Sequence, residues 1–146
     1  MGPAFMLRLT VIYSVLMLAG PALGQDIRIE DAYARTTARS GAIFMIIVNA
    51  ASEGDRLISV RADVARSAML HDNVFSDGVA SMRPLPDGLE IPGESTTPLV
   101  RGGSHIMLLG LRETLVQGAN FPLLLTFEQS GELAVDVFVD NERAVQ

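Results

Sequence analysis

Short apolar runs separated by turn residues follow one another along this sequence after residue 25, and they constrain the fold more than any other feature. Ten runs can be read, at 27–34, 42–50, 56–62, 68–75, 78–85, 88–91, 97–100, 104–111, 122–128 and 132–139. Several of them alternate apolar and polar residues, and Gly, Pro, Asp and Ser cluster between them. This pattern predicts an all-β fold, an antiparallel sandwich or barrel of roughly eight or nine strands. Residues 111–118 are open to either a helical turn or a loop.

The N-terminus has the composition of a targeting segment. Arg8 precedes a short apolar run, and Gly20, Pro21 and Gly24 follow it where a signal peptidase would cut. The run is too short to span a bilayer comfortably. We predict a secretory signal peptide over residues 1–24 and one domain over 25–146, with no stable membrane insertion after cleavage. An uncleaved N-terminal anchor is the alternative.

The composition argues against several classes of function. The 146 residues contain no cysteine, which excludes a thiol nucleophile, a cysteine zinc site and a blue-copper centre. Every basic residue is an arginine, and removing Arg8 leaves 10 basic residues against 17 acidic ones, a net charge of −7. No basic cluster is visible along the sequence, so a nucleic-acid partner is not expected. No Ser-His-Asp arrangement or paired-carboxylate motif is found, and we do not predict an enzyme.

Each of the two histidines has a methionine at a spacing that strands convert into proximity. His105 and Met107 are two residues apart in one predicted strand, so their side chains point to the same face while the intervening residue faces the core. His71 precedes and Met82 follows the Asp-Gly turn signal at residues 77–78. A hairpin there places His71 opposite Met82, or within a position or two of it.

Imidazole and thioether ligands are neutral, and the thioether is soft. Hard cations prefer oxygen ligands, and zinc prefers thiolates or imidazoles to thioethers. If the two pairs meet in the fold, His71, Met82, His105 and Met107 form a set of two nitrogen and two sulfur ligands that suits Cu(I). Without a thiolate, such a site is better made for binding and handing over Cu(I) than for electron transfer.

Each of these residues also has a plain structural interpretation. A strand histidine is commonly a hydrogen-bonded structural residue, and a methionine commonly fills a core. Met45 is predicted to be core, and Met69 is either an auxiliary ligand or, more commonly for such a residue, core. Asp72 and Asp77 are interpreted as turn and solvent residues. On this interpretation the chain is a metal-free exported β-sandwich with an interaction or adhesion function.

The order of the four candidate ligands resembles the H-x10-M-x(n)-H-x-M signature of the periplasmic copper chaperones called PCu(A)C. The stretches 31–57, 82–111 and 122–139 are similar to that family as well, so the resemblance covers nearly all of the predicted domain. The chain departs from the pattern in two places. Met82 and His105 are separated by 22 residues, one more than in the family pattern, and Asp72 stands where some members carry a methionine.

The resemblance implies a cupredoxin-like Greek-key β-sandwich in the bacterial periplasm. It implies a single exposed Cu(I) site formed by His71, Met82, His105 and Met107. It also implies delivery of copper to the dinuclear copper centre of cytochrome c oxidase subunit II, beside Sco-type copper proteins, or buffering of periplasmic copper.

Overall fold

The computed structural model describes residues 26–144, in which ten β-strands and no helix are found. The predicted signal peptide, residues 1–24, lies outside the described residues. The part of residues 111–118 that follows the last strand residue, Leu111, is a loop and not a helical turn. The strands are β1 (Ile27–Thr36), β2 (Ser40–Asn49), β3 (Asp55–Arg61), β4 (Ala65–Ser76), β5 (Val79–Pro84), β6 (Leu89–Ile91), β7 (Ser95–Leu99), β8 (His105–Leu111), β9 (Asn120–Phe127) and β10 (Gly131–Val139).

The strands form one mixed sheet with the order β5-β4-β8-β2-β1-β10-β9-β3-β6. Strand β2 changes partner along its length, because residues 40–43 pair with β8 and residues 45–49 pair with β7. The sheet does not close on itself, and the all-β prediction is confirmed as a sandwich rather than a closed barrel. The strand count exceeds the expected eight or nine because the short β6 and β7 are both paired strands.

One pair departs from the antiparallel expectation. Strands β1 and β10 are parallel, with Tyr33 opposite Phe138 and Ala34 opposite Val139. Parallel neighbours need a long connection, and here that connection is nearly the whole domain, since β1 and β10 are its first and last strands. Local sequence patterns carry no signal for a pairing of this kind.

The core is built from the inward-facing residues of the strands. Ile106 and Leu108 of β8 are fully buried, as the alternation predicted, and Met45 of β2 is buried as well. Each buried aliphatic side chain of this kind contributes about 1.5–3 kcal/mol relative to an exposed one. The described residues contain no helix long and apolar enough to cross a bilayer.

A buried carboxylate ties the start of β3 to the turn between β9 and β10. Asp55 Oδ1 accepts hydrogen bonds from the backbone N–H groups of Arg56 (2.7 Å) and Gln129 (2.8 Å). Its Oδ2 accepts from the Ser130 N–H (3.0 Å) and the Ser130 hydroxyl (2.6 Å). Burial acts to raise the pKa of Asp55, but these donors outweigh it and hold the pKa below its ordinary value of 3.8.

A tight hairpin joins β4 to β5. Its two turn residues, Asp77 and Gly78, have φ angles of 51° and 76°, the positive values that a type I′ turn requires and that Asp-Gly adopts readily. The interpretation of Asp77 as a turn residue is confirmed. Strand β5 lies at one end of the sheet order, and all six of its residues are exposed.

Candidate metal centre

The pairing of β4 with β8 brings the two histidines directly opposite each other. His71 and His105 are register partners in this antiparallel pair. Their ring centroids are 5.8 Å apart, and the ring planes are inclined at 86°. Register partners point to the same face of a sheet, so the two imidazoles meet edge to face on one surface.

The methionines lie on that same face. Met107 is two residues after His105 and is the register partner of Met69. In the hairpin, Met82 is opposite Asn73, two positions along β4 from His71. Met82 is therefore the diagonal neighbour of His71 on the shared face, which confirms the predicted hairpin proximity. His71, Met82, His105 and Met107 thus converge from three adjacent strands.

The candidate site has a buried base and an exposed rim. His105 is only 6% exposed, His71 and Met107 are half-buried, and Met82 is 58% exposed. Met69 is 37% exposed, so the interpretation of Met69 as a core residue is wrong. It lies on the same surface as the candidate ligands because even-numbered spacing along β4 returns the chain to one face.

The orientation of His105 is set by its surroundings. Its Nδ1 lies 3.0 Å from the carbonyl oxygen of Gly103. Because a carbonyl can only accept a hydrogen bond, Nδ1 is the donor, and in the neutral imidazole the lone pair is then on Nε2. The ring also packs against Phe44 of β2, with centroids 6.2 Å apart. His105 is thereby presented with a free basic nitrogen, as a metal-binding imidazole requires.

His71 is the one described residue with a buried side-chain polar atom that has no hydrogen-bond partner. That atom is Nδ1. Burial, and then the proximity of His105, lower the pKa of His71 below its ordinary value of 6.5, so the neutral form that can bind a metal is favoured. A buried polar atom without a partner is unfavourable unless something outside the chain engages it.

Asp72 has a structural role that the sequence did not suggest. Its Oδ1 accepts a hydrogen bond of 3.1 Å from the hydroxyl of Ser104, the residue before β8. The interpretation of Asp72 as a solvent residue is therefore wrong, because the side chain links β4 to the loop that positions His105. The contributions of Phe44 and the Gly103 carbonyl were missed as well. The contacts of Ser104 and Phe44 become visible only once the cross-strand register is known, whereas the Gly103 carbonyl is only two residues from His105 along the chain.

The donor set determines which ions the site can hold. No group of three or more His, Cys, Asp or Glu residues between 26 and 144 is placed to hold a metal ion. The hard-cation and cysteine–histidine zinc chemistries therefore lack their usual ligands in this region. The face instead offers two imidazoles and nearby thioethers, a neutral and partly soft set that fits a soft ion such as Cu(I).

Several solved structures are similar in fold to this chain. The copper-bound PCuAC domain from PmoF2 is 27% identical with a TM-score of 0.66, and the match covers 79% of this chain and 92% of that domain. The solution structure of CuI-DR1885 from Deinococcus radiodurans is 28% identical with a TM-score of 0.66, covering 83% of this chain and 84% of that one. The apo PCuAC domain from PmoF1 has the same fold at 22% identity and a TM-score of 0.67, over 79% and 93% of the two chains.

Sequence relatives lead to a named family. The "Putative lipoprotein Lxx21020" of Leifsonia xyli subsp. xyli (strain CTCB07) is 33% identical over 100 residues, or 68% of this chain. The chain spans 60% of the length of that relative. The family described as "Putative lipoprotein LpqE-like" matches residues 27–139. The resemblance to PCu(A)C chaperones is thus matched by the structural neighbours, and by sequence the chain belongs to the LpqE-like family.

Proposed function

We propose that this protein binds one Cu(I) ion through His71, Met82, His105 and Met107 and acts as a copper chaperone. The observation that carries the proposal is the facing histidine pair, in which the His105 Nδ1 is hydrogen-bonded and the His71 Nδ1 is buried with no partner in the described part of the chain. In a purely structural histidine pair, the buried ring nitrogens would form hydrogen bonds with protein groups. A metal-binding pair needs ring nitrogens whose lone pairs are not engaged in hydrogen bonds.

The chemistry of the ligands suits a carrier. Neutral imidazole and thioether groups bind Cu(I) without an anionic thiolate to retain it. Transfer to an acceptor that offers thiolates is then downhill. The exposed Met82 gives an acceptor a ligand that it can displace first, while the buried His105 holds the ion until the exchange is complete.

The recipient and the location belong to the same proposal. The copper-bound structural neighbours support a copper-binding role, and the lipoprotein family description together with the predicted signal peptide supports export to the cell envelope. We assign the protein to the periplasm. Its proposed acceptor is the dinuclear copper centre of cytochrome c oxidase subunit II, alone or with a Sco-type protein, and buffering of periplasmic copper is the alternative use of the same site.

The test is a competition titration with Cu(I) against a chromogenic chelator under anaerobic, reducing conditions. The expected result is a one-to-one complex that is lost in His105→Ala and in Met107→Ala. Leu109→Ala is the matched control, because Leu109 lies two residues beyond Met107 on the same face and is partly exposed. Circular dichroism of each variant establishes that the domain is folded.

Absence of Cu(I) binding by the folded wild-type protein contradicts the proposal and favours a metal-free interaction domain. Equal binding by wild type and by both ligand variants contradicts the assignment of the ligands. Delivery is tested separately, by mixing the loaded protein with the soluble copper domain of oxidase subunit II and measuring copper on each after separation.

A further inference from the structure

Three arginines that are distant in sequence line one cleft at the far end of β8. The cleft has a volume of about 770 Å³ and is lined by Arg39, Ser40, Arg66, Leu109, Gly110, Leu111 and Arg112. We call it the arginine cleft. No basic cluster could be read along the sequence, because the three arginines are brought together only by the pairing of β8 with β2 on one side and β4 on the other.

Hydrogen bonds hold two of the three arginines in place. The carbonyl of Arg39 accepts a hydrogen bond of 3.0 Å from the N–H of Leu111. Arg112 donates from its backbone N–H to Val64 at 2.9 Å and from Nε to the Asp63 carbonyl at 3.0 Å. The guanidinium groups are therefore carried by anchored segments rather than by free loops.

The third arginine lies over a glycine. Gly110 has a φ of 66°, and a Cβ there would come within 3.1–3.2 Å of three side-chain carbons of Arg66. A side chain at position 110 would be strained by the backbone conformation and would displace Arg66. Gly110 thus leaves room for the stem of Arg66 to lie along the strand.

The charges of the cleft have no salt-bridge partner among the described residues. None of the salt bridges among residues 26–144 involves Arg39, Arg66 or Arg112. Asp63, whose carbonyl accepts from Arg112, directs its carboxylate to Arg61 at 3.9 Å. In a chain with a net charge of −6, three unpaired arginines around one cleft form a local field opposite in sign to the rest of the surface.

One lining residue of the arginine cleft lies on the same face as the candidate metal centre. Leu109 shares a face with Met107 and His105, since the three residues are spaced two apart in β8. Leu109 is 38% exposed. At about 3.3 Å per residue, the four-residue separation places the cleft about 13 Å from His105 along the strand. A partner segment bound in the cleft would hold its own protein near the end of β8, about 13 Å along the strand from His105.

We propose that the arginine cleft binds an acidic polypeptide segment of a protein partner. Guanidinium groups recognise carboxylates through paired hydrogen bonds, and the apolar floor at Leu109 and Leu111 accommodates the stems of the acidic side chains. An anionic bilayer is disfavoured as the occupant, because it is flat where the site is concave and because the acidic protein as a whole is repelled from it. A short acidic segment can enter the cleft, where its carboxylates interact mainly with the nearby arginines rather than with the negative charge of the whole protein.

The role of this docking in copper transfer rests on the proposed function, whereas the binding itself does not. Charges at the rim of an interface chiefly govern the association rate and its dependence on salt. The cleft would therefore select acidic acceptors and shorten the search for the orientation in which copper moves between the two sites.

Fluorescence anisotropy of a labelled octaglutamate peptide tests the proposal, with octaglutamine as the neutral probe. The test variant carries Arg39→Gln, Arg66→Gln and Arg112→Gln. The control variant carries Arg28→Gln, Arg83→Gln and Arg101→Gln, which changes the net charge equally at exposed positions outside the cleft. Arg39→Gln alone is the second variant, because among the described residues the Arg39 side chain donates no hydrogen bond that folding would lose.

Wild type and control are expected to bind octaglutamate and to ignore octaglutamine, with affinity that falls as salt is raised. The test variant is expected to bind at least about tenfold more weakly, and Arg39→Gln about threefold. Equal loss in test and control variants would overturn the proposal, since it would reflect net charge alone. Binding to phosphatidylglycerol vesicles or to inorganic phosphate in place of the peptide would overturn it as well.

A Cu(I) titration of the same proteins separates this proposal from the proposed function. The test variant is expected to keep the Cu(I) affinity of the wild type. If the wild type does not bind Cu(I) but binds octaglutamate, the chaperone proposal is refuted and the cleft proposal stands. If the wild type binds Cu(I) but does not bind octaglutamate, the cleft proposal is refuted and the chaperone proposal stands.

Discussion

Replacing His71 by leucine separates a metal ligand from a structural histidine. The Nδ1 of His71 is buried and has no hydrogen-bond partner among residues 26–144. A buried polar group in that state costs about 1–3 kcal/mol. Part of the gain on its removal is offset by the lost edge-to-face contact with His105, which is about 0.5–1.5 kcal/mol for ring pairs of this kind. We expect His71→Leu to raise the free energy of unfolding by about 1 kcal/mol and to abolish Cu(I) binding.

The matched variant is His105→Leu, at the other half of the pair. It removes the hydrogen bond between His105 Nδ1 and the Gly103 carbonyl, so we expect it to lower stability by about 1 kcal/mol while also abolishing Cu(I) binding. For a domain of this size, 1 kcal/mol corresponds to about 4 °C in melting temperature. Thermal denaturation of the metal-free proteins should therefore place the two variants on opposite sides of the wild type.

A fall of several degrees in the melting temperature of His71→Leu, with Cu(I) affinity unchanged, would refute this reasoning. That result would mean that the His71 ring is held by protein contacts and has no ligand role. Copper added to the wild type should raise its melting temperature and leave both variants unchanged, since a ligand stabilises only the state that binds it.

Asp55→Asn keeps one acceptor oxygen but replaces the other with an NH2 group, which cannot accept hydrogen bonds from the β9–β10 turn, and it should lower stability by about 2–3 kcal/mol. Because the pKa of Asp55 lies below 3.8 in the folded state, the carboxylate contribution is complete above that pH and is lost as pH falls through the folded-state value. The free energies of unfolding of wild type and variant, measured by urea denaturation, should become equal as the pH falls below that value. A constant difference between them at every pH would contradict a role for the ionised Asp55 carboxylate. Gly78→Ala forces alanine to a φ of 76° and should lower the melting temperature by about 4 °C in calorimetry; no change would mean that the turn relaxes freely. Met69→Leu should keep a one-to-one Cu(I) complex in the chelator titration, and its loss would make Met69 a ligand.

Local patterns in the sequence were sufficient to predict the two histidine–methionine pairs of the candidate site, although not that the pairs meet. His105 and Met107 share a face because they are two residues apart in a strand, and a strand alternates its side chains whatever it pairs with. Met82 comes close to His71 because Asp77 and Gly78 close a two-residue turn, and that turn sets the register of the hairpin. Both relations span few residues and need no knowledge of the rest of the fold.

Interactions between distant segments could not be predicted in the same way. The prediction of a buried Met69 failed because alternation identifies two faces but does not say which one is covered. The role of Asp72 was missed because its partner, Ser104, lies 32 residues away. The arginine cleft was missed because the distances that separate its arginines along the chain are unrelated to their distances in space.

The all-β class, the tight hairpin and the two histidine–methionine pairs could therefore be predicted from local patterns, since each follows from the period of a strand or the geometry of a turn. The pairing of β4 with β8, which sets His71 opposite His105, and the parallel pairing of β1 with β10 emerge only from the complete fold. The physical reason is that register between distant strands is selected by burying one face of every strand at once. That selection depends on the whole core, and no short stretch of the chain encodes it.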